Sequence, residues 1–179
     1  MVRRSSTNYL DRLYSTLPYL LPMAGVISVM IYGQKLMLFG FADFLVQQFS
    51  PLGYALIPFL YVNKLLSIKI IDFISIRFVA WICVFIFVVR SYKVNHFVRF
   101  NAMQALLLDI VITLVEVVTR LLQEILGGFA FFPFVLQIIS SVTFLGITAA
   151  FIYSVFECIR GKYADKIPVI SDVAYSQVR

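Results

Sequence analysis

The stretch VRFNAMQALLLDIVITLVEVVTRLLQE, residues 98–124, decides how the rest of the chain is interpreted. It contains no proline or glycine and is predominantly apolar over more than the roughly 20 residues that a helix needs to cross a bilayer. Polar side chains nevertheless recur within it, among them Arg99, Asn101, Gln104 and Asp109. We therefore predict a membrane-spanning helix, one part of whose surface must be covered by protein or water.

The composition of the whole chain is typical of a membrane protein. Of its 179 residues, 61% are hydrophobic and 13% are charged, which is too little polar surface for a soluble domain of this length. The net charge of +6 comes from Lys and Arg clusters at the ends of apolar runs, where such residues set the orientation of the spans. We therefore expect contact with membrane lipid and none with nucleic acid.

Apolar segments long enough to cross a membrane occur along most of the chain. Their approximate bounds are 15–34, 44–62, 69–90, 98–124 and 132–159. The second of them is interrupted by Pro51, Gly53 and Pro58, and proline breaks the hydrogen-bond ladder of a helix. We therefore interpret residues 44–62 as an interfacial or re-entrant segment, packed against neighbouring helices.

The distribution of Lys and Arg supports four spans and not five. With four spans, ten basic residues lie on one side: Arg3, Arg4, Arg12, Arg90, Lys93, Arg99, Arg160, Lys162, Lys166 and Arg179. Four lie on the other side: Lys35, Lys64, Lys69 and Arg120. A fifth crossing would reduce this bias to six against eight. By the positive-inside rule, the more basic side faces inward.

The predicted fold is therefore all-α, a polytopic membrane protein with four transmembrane helices and an additional interfacial or re-entrant segment. We expect a single membrane domain over residues 1–179, with a polar C-terminal tail at 160–179 and both termini on the inner side. Gly127, Gly128 and Pro133 predict a tight connection between the last two spans.

A polar stripe follows one face of the helix predicted at 98–124. At about 100° per residue, its members fall within roughly 80° of one another. The polar stripe consists of Asp109, Thr113, Glu116, Arg120 and Gln123. A charged group at mid-bilayer costs at least about 2.5–3.5 kcal/mol on insertion scales, so we do not expect this stripe to face lipid.

Two interpretations of the polar stripe are open. In the first, Glu116 and Arg120 form an i,i+4 ion pair, and the stripe attaches this helix to its neighbours. In the second, the stripe lines a hydrated path between helices or subunits for something that crosses or inserts. Asp109 is central to the second interpretation, because its nearest cation in the sequence is at least two helical turns away.

Other residues are candidates for contacts between helices. Asn101 and Gln104, near the basic end, can bond to another helix or to the C-terminal tail, while Arg99 is an orientation charge. Arg77 lies deep enough in its own span to reach the acids of the polar stripe. The last span has small residues at a spacing that permits close helix approach, or that occurs incidentally, followed by an acid on nearly the same face. These residues are Gly146, Ala150, Ser154 and Glu157.

The sequence contains no motif for catalysis or for cofactor binding. GxSxG, HExxH, P-loop and GxGxxG patterns are absent, and the single histidine, His96, has no second histidine with which to share a metal. Cys83 and Cys158 lie in apolar segments without metal-ligand spacing, and we expect both to be reduced. We therefore expect no enzyme activity, no cofactor and no metal site.

Three stretches, in this order and spacing, resemble a known family. They are LPYLLPMAGVISVMIYG, VRFNAMQALLLDI and KIPVISDVAYSQVR, of which RFNAMQA followed by LLLDI is the most specific part. Together they resemble the twenty-kilodalton subunit family of the protein translocon of the inner chloroplast envelope and its cyanobacterial relatives. The resemblance covers nearly the whole chain, and it implies a four-helix integral membrane protein.

The resemblance also implies a role in preprotein translocation, with other translocon subunits and preproteins in transit as partners. Nucleus-encoded members carry a transit peptide, whereas the start of this chain has the composition of neither a transit peptide nor a cleaved signal. We therefore expect a plastid-encoded member in the inner envelope with stromal termini, or a cyanobacterial member in the plasma membrane. The alternative functions are a scaffold or assembly subunit without substrate contact and a solute or ion transporter, although no inverted repeat supports the transporter.

Overall fold

Helices account for most of the structure, a computed structural model that describes residues 8–35, 50–71 and 74–178. The prediction of a predominantly helical chain is thus confirmed. In chain order the elements are α1 (Tyr9–Thr16), a 3₁₀ turn (Leu17–Tyr19), α2 (Leu20–Lys35), α3 (Ser50–Leu66), β1 (Lys69–Ile71), β2 (Ile74–Ser75), α4 (Ile76–Cys83), a π-helical segment (Val84–Val89), α5 (His96–Leu126), α6 (Phe132–Ile159) and α7 (Ile170–Gln177).

Helix α5 is the longest element and contains the stretch quoted at 98–124. Its first turn is capped by the Asn95 side chain, which accepts a hydrogen bond from the Phe97 amide at 3.2 Å. The helix has 31 residues and extends two residues beyond the predicted segment at each end. At 1.5 Å per residue it is about 46 Å long, which exceeds the thickness of the hydrocarbon core. A short Gly-Gly connection then leads to α6.

The first predicted span, 15–34, is divided into two helices. The Asn8 side chain accepts a hydrogen bond from the Tyr9 amide at 2.8 Å, so α1 starts well before residue 15. Pro18 lies in the 3₁₀ turn that separates α1 from α2, because proline lacks an amide hydrogen and clashes with the preceding turn of an α-helix. The apolar segment predicted at 15–34 therefore comprises the end of α1, the 3₁₀ turn and most of α2, which itself has 16 residues, and its crossing of the membrane stays a prediction.

The second predicted segment, 44–62, is helical where the structure describes it. Helix α3 has 17 residues and continues through Pro58 to a point four residues beyond the predicted end. Residues 44–49 lie outside the described part of the chain. Most of the described side chains of α3 are exposed. Its interfacial or re-entrant placement stays a prediction.

The third predicted segment, 69–90, does not begin as a helix. Strands β1 and β2 form an antiparallel hairpin, and α4 starts only at Ile76, where the Ser75 hydroxyl accepts a hydrogen bond from the Phe78 amide at 3.3 Å. Isoleucine favours extended backbone, and serine favours the position just before a helix. The apolar helix therefore has eight α-helical and six π-helical residues, fewer than predicted.

Within the described residues, α6 is the one helix long and apolar enough to cross a membrane. It has 28 residues, and the mean hydropathy of its most apolar 18-residue window is 2.0. The apolar helix at Ile76–Val89 is shorter than a full span. Length and composition thus identify one membrane-competent helix in this part of the chain.

The core lies around the half of α5 that begins at His96. All the buried side chains of α5 lie between Phe97 and Ile112, with the exception of Thr119. Helices α1, α2 and α7 all pack on α5, and α2 also packs on α6. Beyond Ile112 the side chains of α5 are mostly exposed or half-buried. The N-terminal half of α5 is therefore enclosed by the chain, and the C-terminal half is not.

Candidate functional site

A buried ion pair joins α4 to the middle of α5. The Arg77 guanidinium donates through Nη2 to Asp109 Oδ1 and through Nε to Asp109 Oδ2, the latter at 3.4 Å. Only 5% of the Asp109 side chain and 18% of the Arg77 side chain are exposed. Asp109 has no nearby cation on its own helix, and α4 supplies one from a position 32 residues earlier.

Gly25 of α2 makes room for this ion pair. A methyl group at Gly25 would overlap the Arg77 guanidinium, whose Nη1, Nη2 and Cζ atoms all lie inside the normal contact distance of a carbon atom. The ion pair therefore lies where α2, α4 and α5 meet. Nothing in the sequence distinguishes Gly25 from the other glycines of the apolar segments, and we did not predict its role.

A cleft of about 480 Å³ opens beside the ion pair. Its walls combine two charged, two hydroxyl and four apolar side chains from the start of α4 and the middle of α5. These are Ser75, Arg77, Phe78, Trp81, Asp109, Ile110, Thr113 and Leu114. A cavity with apolar walls and a few convergent polar groups is typical of a binding site.

The polar stripe continues outward from this cleft. Thr113 is exposed, and its hydroxyl donates to the Asp109 backbone carbonyl at 2.9 Å. Glu116 is half-buried, and its charged neighbours are Arg77, Arg120 and Asp109. Glu116 therefore lies within a group of two positive and two negative side chains, and its direct pairing with Arg120 stays a prediction.

Beyond Asp109 the polar stripe is only partly covered. Arg120 is exposed, and Gln123 is half-buried with its side-chain amide beside Gly127. Within the described ranges, the chain encloses the stripe at Asp109, whereas its other members are exposed or half-buried. The cleft and the stripe share Asp109 and Thr113 and thus form one continuous surface.

A second polar cluster lies at the basic end of α5 and is fully buried. The Tyr19 hydroxyl lies 3.2 Å from both Asn101 Oδ1 and Gln104 Oε1, so its one proton is shared between two acceptors. Asn101 Nδ2 donates to the Phe97 carbonyl at 2.8 Å. Buried polar groups need partners within the protein, and these bonds provide them while joining α5 to the turn before α2.

Gln104 also holds the C-terminal tail against α5. Its Nε2 donates to the Ala164 carbonyl at 2.9 Å and to Ser171 Oγ at 3.3 Å. Nearby, the rings of Phe100 and Tyr175 lie with their centroids 4.3 Å apart. The tail, which the sequence shows only as a polar segment, is therefore folded back onto α5 through α7.

Replacing Gln104 by leucine is expected to loosen this tail. Leucine is of similar size, but it removes the hydrogen bonds from Gln104 Nε2 to the Ala164 carbonyl and to Ser171 Oγ, each of which contributes about 0.5–1.5 kcal/mol. Tail opening should expose the backbone to protease. Limited trypsin digestion after Lys162 and Lys166 should therefore become severalfold faster.

The matched control for this experiment is Ser176→Ala. The Ser176 hydroxyl donates only to the Val173 carbonyl of the same short helix, at 2.7 Å. Its removal should leave the digestion rate unchanged. If Gln104→Leu were digested no faster than this control, Gln104 would not be what holds the tail.

Arg99 contacts the connection between α4 and α5, and His96 contacts the connection between α6 and α7. Arg99 Nε donates to the Val89 carbonyl at 2.8 Å, and the Arg99 guanidinium lies 5.3 Å from the centroid of the Tyr92 ring. His96 Nδ1 lies 3.1 Å from the Tyr163 hydroxyl. Burial, and to a lesser extent the charge of Arg99, lower the pKa of His96. The neutral ring is therefore the form that suits this position near pH 7.

Comparison with known proteins shows which family shares this sequence. The family model for the chloroplast import apparatus, Tic20-like, matches residues 3–174, a range that begins before α1 and ends within α7. The chain belongs to the Tic20-like family. A Tic20 family protein from Synechocystis sp. is similar to it, with 33% identity over 180 residues, which cover 100% of this chain and 99% of that relative. The resemblance to this translocon family is thus confirmed.

Tic20-like membership implies a role related to protein import translocation, alongside other translocon subunits. The family belongs to the chloroplast inner envelope or to cyanobacteria, and the relative described above is cyanobacterial. The match spans both polar clusters, at Arg77 with Asp109 and at Gln104. The comparisons therefore assign the family, and the roles of individual side chains rest on their geometry.

Only some of the small residues of α6 pack against other described parts of this Tic20-like chain. A Cβ at Gly146 would meet nothing within 4 Å in the described part of the chain, so a close helix contact at this position stays a prediction. Ser154 is fully buried, and Ala150 packs against the core. Glu157 pairs with Arg160 at the end of its own helix, at 3.4 Å. Small residues at this spacing permit close approach but do not require it.

Proposed function

We propose that this chain is a multi-pass, non-enzymatic membrane subunit of a protein-import translocon, and that its cleft and polar stripe contact preproteins in transit. The observation that carries the proposal is the course of the stripe, which begins at a buried ion pair and then continues along α5 with side chains that are exposed or half-buried in the described part of the chain. Lipid is an unfavourable neighbour for such a surface. Water is a favourable neighbour, and so is a preprotein, whose backbone groups are unpaired.

The non-helical backbone before α4 supports a hydrated surface. Asp109 lies thirteen residues into α5, about 20 Å from the basic end, and Ser75 of the β-hairpin lines the same cleft. Non-helical backbone at membrane depth is tolerated where it is buried in protein or lines a water-filled cavity. The hairpin and the ion pair would thus share one hydrated cleft.

We infer four spans, containing α2, α4, α5 and α6, with both termini on the stromal side or, in a cyanobacterium, on the cytoplasmic side of the plasma membrane. Asn95 Nδ2 donates to Asp11 Oδ2 at 3.0 Å, and Arg12 Nη1 donates to the Ile159 carbonyl at 3.2 Å. These bonds bring α1 to the start of α5 and the end of α6. Gln104 brings the tail to the same end. The basic residues of this end agree with the positive-inside rule.

Site-specific photo-crosslinking tests the preprotein contact. A crosslinker placed at Thr113 or Gln123 should capture a preprotein stalled during import, because both positions lie on the polar stripe. The matched controls are Val118 and Leu121, which are exposed on the opposite, apolar side of α5. They should capture lipid or neighbouring subunits. Capture of neighbouring subunits alone from Thr113 and Gln123 would refute the preprotein contact.

A scaffold role is the second candidate, and the ion pair itself favours it. Arg77 and Asp109 join three helices within the chain, and the same chemistry can join subunits. If the stripe is a contact between subunits, replacing Glu116 and Arg120 together by leucine should dissociate the complex on native gels. If it is a preprotein surface, the complex should stay intact while import slows.

A further inference from the structure

A second cleft, of about 530 Å³, lies at the basic end of the chain. It separates α1 and the 3₁₀ turn from α4, its π-helical segment and the start of α5, and it shares no residue with the cleft at Arg77. Its interior is apolar and its mouth is polar. The lining residues are Asp11, Tyr14, Leu17, Pro18, Leu21, Ala80, Val84, Val88, Lys93, Val94, Asn95 and Val98.

One wall of this cleft is the π-helical segment. Val84 and Val88 line the cleft, and the Arg90 amide donates to the Phe85 carbonyl at 3.0 Å, which is the i to i+5 bond of a π-helix. Such segments are rare and often occur at functional sites. The segment thus places two valine side chains, four residues apart, on the wall of the cavity.

The mouth of the cleft carries one anion and one cation, Asp11 and Lys93. The Asp11 carboxylate is held against the chain by hydrogen bonds from the Asn8 amide at 3.1 Å and from Asn95 Nδ2 at 3.0 Å. Lys93 is exposed at the mouth. The loop that carries it, RSYKVN at residues 90–95, contains two cations and no anion. An apolar cleft with this mouth complements an amphiphile with a negative headgroup.

We propose that this cleft binds an anionic phosphoglycerolipid, with one acyl chain along the valine wall and the phosphate at Lys93. The inference rests on the proposed membrane role, because it needs the basic end to lie at the level of the lipid headgroups. The volume is within the range of about 300–1,000 Å³ that is usual for ligand sites. The bound lipid would fill the space between α1 and α4 and so fix the N-terminal helix to the membrane boundary.

Native mass spectrometry of the full-length chain tests this proposal. The protein is extracted from bilayers that contain equal amounts of phosphatidylglycerol and phosphatidylcholine with identical acyl chains. Wild-type protein should retain one phosphatidylglycerol. The variant Lys93→Gln should lower the preference for phosphatidylglycerol about fivefold, which corresponds to the roughly 1 kcal/mol contributed by one cation near an anionic surface. The variant Ala80→Phe should fill the cleft and abolish retention of both lipids.

The control Lys162→Gln removes a cation from the same end of the protein but outside the cleft, and it should retain lipid like the wild type. If Lys93→Gln and Lys162→Gln lost the preference for phosphatidylglycerol equally, the lipid would be attracted by the overall positive charge of this end, and the site would be overturned. Normal lipid retention by Ala80→Phe would also overturn it. If the phenylalanine variant fails to fold, the smaller change Ala80→Leu takes its place, provided that its melting temperature is the same as that of the wild type. If wild-type protein retained no lipid and yet crosslinked to a preprotein normally from Thr113, the lipid proposal would be refuted and the proposed function would stand.

Discussion

Replacing Asp109 by leucine is expected to lower the free energy of unfolding by about 3–5 kcal/mol, the range found when one partner of a buried ion pair is removed. The Arg77 guanidinium would remain between α2 and α5 without its hydrogen-bonded carboxylate, with Glu116 as its remaining anionic neighbour, in a position where only 18% of its side chain is exposed. Denaturant unfolding in a fixed detergent, followed by circular dichroism, measures the change. The loss should be among the largest for any single substitution outside the apolar core.

Two controls separate the buried charge from other causes. The double variant Arg77→Met with Asp109→Leu should recover most of the stability, because exchanging a whole buried pair for apolar residues is often neutral. The variant Arg160→Gln breaks the pair with Glu157, in which Arg160 is 47% exposed, and should cost less than about 1 kcal/mol. Equal losses for Asp109→Leu and Arg160→Gln would mean that the buried pair contributes no more than a surface pair.

The double variant also separates stability from function. Its cleft would be folded but apolar, without the charges that begin the polar stripe. If that polar surface contacts preproteins, import should remain slow although the free energy of unfolding returns to near the wild-type value. If the ion pair only joins helices, import should recover together with stability.

Replacing Gly25 by alanine is expected to destabilise the protein by about 1–3 kcal/mol, the usual cost of forcing an extra methyl group into a packed site. The new methyl group would overlap the Arg77 guanidinium and push it away from Asp109. This destabilisation is the reverse of the usual effect, because replacing a glycine inside a helix by alanine normally stabilises the helix by roughly 0.5–1 kcal/mol. The same denaturant titration measures the effect.

Gly146→Ala is the matched control, because its Cβ would meet nothing within 4 Å. It should be neutral or slightly stabilising. The cost of Gly25→Ala should also disappear when Arg77 is alanine, since two residues in contact show non-additive effects. An undiminished cost in the Arg77→Ala background would place the clash elsewhere.

Helix α5 could be predicted because its evidence is local. Residues 98–124 lack proline and glycine, and their polar residues follow the helical period, so one segment of sequence specifies both the helix and the polar stripe. The start of α4 could not be predicted in this way. The isoleucines before it fit an apolar span or a strand equally well, and short apolar runs do not separate the two. The Ser75 cap decides the boundary.

The ion pair could be predicted only in part, because it depends on how distant segments pack. Arg77 and Asp109 each stand out as charges in apolar segments, but they are 32 residues apart, and their meeting depends on the packing of α4 against α5. Tyr19 and Gly25 carry no such signal. One is among ten tyrosines and the other among eight glycines, and only the tertiary structure places them against Gln104 and Arg77.

Thiol labelling at Thr113 tests most directly whether the polar stripe lines a hydrated path for preproteins. In a variant without the native Cys83 and Cys158, Thr113→Cys should react readily with a membrane-impermeant thiol reagent in the assembled translocon. A preprotein stalled in transit should then slow the reaction severalfold, whereas Val118→Cys, on the lipid side of α5, should react poorly in both states. A Thr113→Cys that reacts as poorly as Val118→Cys, with and without a preprotein, would contradict the account and leave the stripe as a contact between helices.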